Sequence, residues 1–220
     1  RLGERKQVNR KMNLTMRISM IISVPAAVGI GVLGPQIIAM LFPKASDGGV
    51  LLTVGAISII FLALCQTATG ILQGIGHIRV PVVGALLGAV MKVILNAILI
   101  PIPALNIIGA VLSTTGCYVV ASIFDVFMLS RITKVRFDFK RILVKPILGS
   151  IVMGIAALGV YYGLYHFVPS NTLCTLVAIV LAMVVYGVIM LIIGGIQEED
   201  LQSIPMGGRL IRLSKKMHLM

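Results

Sequence analysis

The amino-acid sequence predicts an all-α, polytopic membrane protein with six transmembrane helices, and three observations predict this fold class. First, 58% of the 220 residues are hydrophobic and only 12% are charged, whereas a soluble domain has about 45–50% apolar and about 25% charged residues. Second, several segments almost free of ionisable residues are long enough to cross about 30 Å of hydrocarbon. Third, the basic residues are clustered beside these segments. Together they exclude a soluble enzyme, a disordered chain and a disulfide-stapled secreted domain.

The predicted membrane domain covers residues 18–196, and sequence breaks divide it into six helices. These helices occupy residues of about 18–42, 49–76, 80–100, 107–130, 146–168 and 172–196. Pro101 and Pro103 separate the third from the fourth helix, because proline lacks an N–H and disfavours helix in the residue before it. Residues 1–17 form a basic segment, and residues 197–220 predict an amphipathic tail that lies on anionic lipid.

The distribution of basic residues predicts the orientation of the six helices. The formal net charge is +12, which in a soluble chain would indicate nucleic-acid binding. Outside the predicted helices, however, every Lys and Arg except Lys44 falls on one side of the membrane. Cytoplasmic loops carry such an excess. We therefore expect both ends of the chain to be cytoplasmic, with membrane lipids and no nucleic acid as partners.

Neither the start of the chain nor its cysteines indicate a processed, metal-binding or catalytic protein. The chain opens with Arg1 and has neither an initiator Met nor a signal peptide, so we expect it to be the C-terminal part of a longer polypeptide. Cys65, Cys117 and Cys174 lie in apolar segments without metal-ligand spacing. No paired carboxylates, phosphate-binding loop or Ser/His/Asp set stands out, so the sequence predicts no enzyme activity, cofactor or metal.

Lys92 is the strongest candidate for a functional residue. A charge at the centre of a membrane costs about 2.5–3.5 kcal/mol and normally faces a bundle interior or a water-filled cavity. Lys92 lies about 18 Å into its helix, and Asn96 follows one turn later. Gly88 and Gly84 precede it at steps of four, which predicts a polar stripe with space beside it that lines a substrate cavity. Alternatively, carbonyl groups of a neighbouring helix bond the lysine, and the glycines serve close helix packing.

Further polar residues lie within the predicted helices. Gln66 and Gln73, with Thr67 and Thr69 between them, either line the same cavity or form hydrogen bonds between helices. Asp125 is a possible secondary site. It lies about 8 Å from the predicted cytoplasmic end of its helix, and the simplest interpretation is an interfacial carboxylate that neutralises the basic loop after it.

Four prolines mark candidate hinges. Pro25 and Pro35 fall inside the first helix and predict that it is kinked or broken, while Pro101 and Pro103 form the turn described above. Transporters use such interruptions near cavities and hinges.

The order of several short motifs resembles a known superfamily. The motifs are Ser23-Val24-Pro25-Ala26-Ala27-Val28-Gly29, Leu33-Gly34-Pro35, Leu72-Gln73-Gly74-Ile75-Gly76, Lys92-Val93-Ile94-Leu95-Asn96, Leu99-Ile100-Pro101-Ile102-Pro103 and Ile108-Gly109-Ala110. In this order they resemble the multidrug/oligosaccharidyl-lipid/polysaccharide (MOP) exporter superfamily. The similarity is strongest to its polysaccharide-transporter branch, especially to stage V sporulation protein B and its relatives, which are similar to the MurJ-like lipid II flippases.

The resemblance implies both an architecture and a function. Members of the superfamily have two six-helix lobes and an extra pair of C-terminal helices, so this chain would supply the last six helices and would lack the first lobe. The implied function is a flippase for polysaccharide biosynthesis in the bacterial plasma membrane. Its implied substrate is an undecaprenyl-pyrophosphate-linked saccharide for peptidoglycan, spore-cortex (sporulation) or capsule assembly. Lys92 matches the cationic residues that face the cavity in this superfamily.

Two alternative functions remain open at the level of the sequence. A MATE-type drug/cation antiporter of the same superfamily would be expected to carry an acidic residue in its cavity. A membrane scaffold for envelope assembly that does not transport would be expected to bury Lys92 in a dry, fully packed bundle.

Overall fold

The protein is described by a computed structural model that covers residues 2–44, 48–135, 137–138, 140–168 and 170–194. These residues form seven α-helices and no strand. The helices are α1 (Leu2–Leu41), α2 (Gly48–Gly55), α3 (Ser58–Gly74), α4 (Arg79–Leu99), α5 (Asn106–Thr133), α6 (Lys145–Phe167) and α7 (Asn171–Ile192). A turn of π-helix, Lys140–Val144, leads into α6.

Five of these helices are long and apolar enough to cross a membrane, and the count is six if the pair α2 and α3 forms one span. The axes of α2 and α3 differ by 44°, and the break falls at Ala56 and Ile57. The Ser58 hydroxyl donates to the carbonyl oxygen of Gly55 at 2.6 Å across this break. The six predicted spans are therefore found when α2 and α3 are counted as one span, and this second span is bent, which no feature of the sequence predicted.

Helix α1 is a single helix of 40 residues, about 60 Å long. Pro25 and Pro35 both lie inside it, so the helix is not broken at either residue, and the kink that was the other form of the prediction stays a prediction. Proline removes one helical hydrogen bond and crowds the preceding turn, but α1 packs against α2, α3, α6 and α7. These contacts on several sides hold the helix together through both prolines.

The predicted boundaries of the remaining spans agree with the structure to within a few residues. Helix α4 ends at Leu99, and an irregular turn that contains Pro101 and Pro103 precedes α5, as predicted. Helix α7 ends at Ile192, where the Lys145 side chain donates to the carbonyl oxygens of Ile193 and Gly194 at 3.1 and 2.7 Å. The predicted tail, residues 197–220, lies outside the described residues.

Helix α1 lies between two helical groups. On one side, α3 packs on α1 and on α5, and α4 packs mainly on α5; on the other side, α6 and α7 pack on each other and on α1. Each side has its own core, centred on Met20, Leu72 and Leu129 in the first group and on Ala157 and Ala178 in the second. Three basic residues, Arg79, Arg131 and Lys145, lie at the end of the bundle where α4 and α6 begin and where α5 ends.

Candidate functional site

The predicted stripe on α4 faces α5. A Cβ atom built on Gly88 would lie 2.8 Å from the Cys117 carbonyl oxygen, and one built on Gly109 would lie 2.9 Å from the Leu99 carbonyl oxygen. The two helices therefore pack backbone to backbone along their length. We call this contact the α4–α5 seam.

The space predicted beside Gly84 and Gly88 does not exist, because α5 fills it. Both glycines are buried, and a side chain at Gly84 would meet the carboxyl group of Asp125 and the ring of Phe124. The packing alternative from the sequence is therefore correct for these two residues. Small residues at such positions allow helices to approach closely in membranes.

Lys92 lies further along the same stripe, about 20 Å from the start of α4 and about 10 Å from its end. Its side chain is half-buried. Within the part of the chain that the structure describes, it forms no hydrogen bond or ion pair. The alternative in which carbonyl groups of a neighbouring helix bond the lysine is therefore not observed.

Asn96 is also half-buried on this stripe. Its side-chain Oδ1 is buried and has no hydrogen-bond partner among the described residues. Most buried polar atoms have a partner, so Asn96 retains an acceptor that a ligand or a water molecule can use. Lys92 and Asn96 thus place a cation and an amide one helical turn apart within a membrane span. Among the described residues, neither the Lys92 ammonium group nor the Asn96 Oδ1 has a hydrogen-bond partner.

Asp125 is buried, with 1% of its surface exposed, so it does not face water, while its expected position near the cytoplasmic membrane surface stays a prediction. Its Oδ2 accepts a hydrogen bond from the Thr69 hydroxyl at 3.1 Å and a weak one from the Cys65 thiol at 3.6 Å. Both donors come from α3, four residues apart and hence on one face of that helix. Its Oδ1 is buried against Gly84 and has no hydrogen-bond partner among the residues that the structure describes.

Gln66 and Gln73 are exposed on α3 and make no hydrogen bond to Lys92 or Asn96 in the described structure. Gln66 lines an open pocket of about 420 Å³ between α1 and α3, together with Thr15 and Ile71. The Thr67 hydroxyl, by contrast, donates to the Ser19 hydroxyl at 2.8 Å and so joins α3 to α1. The structure therefore does not bring the two glutamines together with Lys92.

An apolar groove of about 510 Å³ lies between α1, α6 and α7. Its lining includes Pro25, Gly29, Leu33, Met153, Ala157 and Ala182. The Tyr186 hydroxyl donates to the Ile21 carbonyl oxygen at 2.8 Å at one edge of the groove. Pro25 thus lines this groove, whereas Pro35 does not. The groove has the apolar chemistry suited to a lipid chain.

No group of three or more His, Cys, Asp or Glu side chains that could hold a metal ion occurs among the described residues. Sequence reasoning missed two features: the apolar groove and the three-helix contact of Asp125. The spacing of Cys65 and Thr69 indicated a shared helix face. Nothing in the sequence showed that Asp125 would lie against that face and against Gly84.

Comparison with known proteins finds a family and two relatives that each match most of this chain. The family model described as lipid II flippase MurJ matches residues 1–183. An uncharacterized membrane protein YabM of Bacillus subtilis (strain 168) is 26% identical over 219 residues, which are 97% of this chain and 40% of that protein. The lipid II flippase MurJ of the same organism is 28% identical over 202 residues, which are 87% of this chain and 36% of that protein. The chain thus spans less than half the length of either relative.

Proposed function

Because the chain belongs to the lipid II flippase MurJ family, we propose that it takes part in moving a lipid-linked saccharide precursor across the bacterial plasma membrane. The family match over residues 1–183 is the observation that carries this proposal. The process is transport without covalent chemistry. The substrate is an undecaprenyl-pyrophosphate-linked saccharide of the kind that peptidoglycan, spore-cortex or capsule assembly consumes.

In this proposal Lys92 meets the pyrophosphate group. A pyrophosphate carries several negative charges, and an anion enters a membrane interior only where a cation offsets the cost of leaving water. Lys92 supplies a compact charge with three donors, and no protein group neutralises it within the described residues. Asn96 donates through its amide one turn further along α4.

The apolar groove between α1, α6 and α7 accommodates part of the isoprenoid chain in this proposal. A chain held there contacts Pro25, Gly29 and Ala157, which offer hydrocarbon surface and little side-chain bulk. The groove and Lys92 lie in different helical groups, on opposite sides of α1. A further lobe, in the same polypeptide or in a partner chain, completes the path between them, because the relatives are more than twice as long as the matched region.

One observation favours the alternative of a drug/cation antiporter. An antiporter of this kind is expected to carry an acidic residue inside its membrane domain, and Asp125 is a buried carboxylate, although it lies beside Gly84, about 12 Å nearer the start of α4 than Lys92. The scaffold alternative expects Lys92 in a sealed, packed core, whereas Lys92 is half-buried and unpaired in the described structure.

Rescue of a bacterial strain depleted of its lipid II flippase tests the proposal. The full-length gene product is expressed at matched levels as wild type and as Lys92→Glu. We expect the wild type to restore growth and the variant not to do so. Failure of the wild type to restore growth, together with pH-dependent efflux of a cationic dye, would instead support the antiporter.

A further inference from the structure

The buried contact between α3, α4 and α5 contains an ionisable group that the proposed substrate site does not use. Asp125 is 1% exposed, and its nearest polar partners are the neutral Thr69 hydroxyl and Cys65 thiol. Its Oδ1 faces Gly84 without a partner. An ionised carboxylate in this position leaves one charged oxygen unsatisfied in an apolar environment, which costs free energy unless the group is neutralised.

No fixed charge compensates the carboxylate among the described residues. From α3 the facing ionisable group is the Cys65 thiol, and from α4 the facing residue is Gly84, which has no side chain. On α5 itself, Cys117 lies two turns from Asp125 and contacts Gly88. Lys92 is about 12 Å further along α4 than Gly84. No Lys or Arg forms an ion pair with Asp125 in the described structure.

We propose that Asp125 is a proton-binding site at the contact of α3, α4 and α5, and that its proton is gained and lost during the working cycle. The bound species is a proton, because hard cations such as Ca²⁺ take six or more oxygen ligands, and this contact offers one carboxyl group and one hydroxyl. A thiol adds no ligand suited to a hard cation.

The hydrogen bonds at Oδ2 of Asp125 can be kept in both protonation states. When the carboxylate is ionised, Thr69 and Cys65 donate to Oδ2, as observed. When a proton binds Oδ2, the new O–H donates to the Thr69 oxygen, and Thr69 turns its own hydrogen to the carbonyl oxygen of residue 65, the usual acceptor of a helical threonine. Protonation therefore removes the charge from the α4–α5 seam without leaving the hydroxyl unpaired.

The proton site lies on the same seam as Lys92, about two helical turns away. A change of charge at Asp125 alters how tightly Gly84 and α4 pack on α5, and α4 carries Lys92. The coupling to transport rests on the proposed function, whereas the binding of a proton does not.

Infrared difference spectroscopy between mildly acidic and mildly alkaline buffer tests the proton site in the full-length gene product in lipid vesicles. A protonated carboxyl group has a C=O band that the carboxylate lacks. We expect such a band in the acidic spectrum of the wild type, and we expect it to shift when aspartate carboxyl groups carry ¹³C. Because this measurement needs no substitution, it does not depend on the folding of a variant.

Variants then assign the band. Asp125→Asn should remove it, while Asp138→Asn, which replaces a carboxylate outside the membrane spans, should leave it unchanged. Thr69→Val should shift its position, because the carboxyl O–H loses its acceptor. A wild-type spectrum without a ¹³C-sensitive carboxyl band, or a band that persists in Asp125→Asn, would overturn the proton site. If the wild type restores growth of the depleted strain but shows no such band, the proposed function stands and the proton site does not. If the band is present but growth is not restored, the proton site stands and the proposed function does not.

Discussion

The carboxyl group of Asp125 on α5 lies directly against Gly84 on α4. The absence of a side chain at Gly84 is what allows the carboxyl group to occupy this place. Helix α4 packs mainly on α5, and this contact is one of the close approaches along the α4–α5 seam, together with those at Gly88 and Gly109. The packing of α4 therefore depends on a pair of residues whose relation no sequence pattern revealed.

Replacing Gly84 by alanine should destabilise the protein by about 1–3 kcal/mol, the usual cost of overpacking. The new Cβ would displace the Asp125 carboxyl group and contact the Phe124 ring at 3.2 Å. The midpoint of unfolding in detergent measures the loss. Gly159→Ala is the matched control, since no atom lies within 4 Å of its Cβ position in α6.

The cost of Gly84→Ala should fall in an Asp125→Ala background, because the displaced carboxyl group is then absent. Residues in contact show such coupling in double-mutant cycles. Strictly additive effects of the two substitutions would contradict the contact.

Gly49→Ala should destabilise the protein by about 1–3 kcal/mol more than Gly48→Ala. A Cβ at Gly49 would lie 2.6 Å from the Cα of Pro35, which is backbone within α1 and cannot rotate away. A Cβ at the neighbouring Gly48 would contact the flexible Ile38 side chain at 3.6 Å. Unfolding midpoints of the two variants give the comparison, and equal midpoints would show that α1 and α2 do not pack this closely.

The sequence predicted the fold well because hydrophobic length and proline placement act locally. The turn at Pro101 and Pro103 and the ends of the last two helices follow from such local signals. The bend at Ala56 has no proline or charge to mark it, and α1 continues through Pro25 and Pro35 because neighbouring helices hold it. Contacts between helices that are distant in the sequence could not be predicted from it.

The candidate site was only partly predictable for the same reason. A lysine in the middle of a membrane span is energetically unfavourable unless it has a polar environment, so Lys92 could be identified from the sequence. Whether Gly84 borders a cavity or a helix depends on which face α5 covers. Likewise, the burial of Asp125 depends on α3 and α4, and distance along its own helix does not reveal it.

Cysteines at positions 77 and 172 should be labelled from opposite sides of the membrane. His77 and Thr172 are both exposed and lie at opposite ends of the bundle. The positive-inside rule predicts that position 77 faces the cytoplasm. The background replaces Cys65 by serine, which retains a donor to Asp125, and Cys117 and Cys174 by alanine. A membrane-impermeant maleimide on intact cells measures the sidedness, and labelling of both positions from the same face would contradict six crossings.

Filling the apolar groove should weaken the binding of the lipid chain. Ala26 is exposed and lines the groove, so Ala26→Trp places a large ring in it without entering the core. Ala97→Trp is the matched control, because Ala97 is exposed on α4, in the other helical group. Crosslinking to a photoreactive isoprenyl phosphate measures occupancy. We expect a clear loss for Ala26→Trp only, and equal crosslinking of both variants would show that the chain binds elsewhere.

The most direct test of the proposed function is the flipping of a fluorescent pyrophosphate-linked isoprenoid lipid by the full-length gene product in vesicles, with Lys92 varied. Lys92→Arg should retain part of the activity, because it keeps the positive charge. Lys92→Gln should weaken lipid binding about 10- to 100-fold, since a hydrogen bond to a charged group contributes about 1.5–3 kcal/mol and about 1.4 kcal/mol is a factor of ten. Lys92→Glu should abolish flipping, while Lys44→Glu, the same charge change at an exposed residue between α1 and α2, should have little effect. Equal flipping by the Lys92→Glu and Lys92→Arg proteins would contradict an anionic substrate at Lys92.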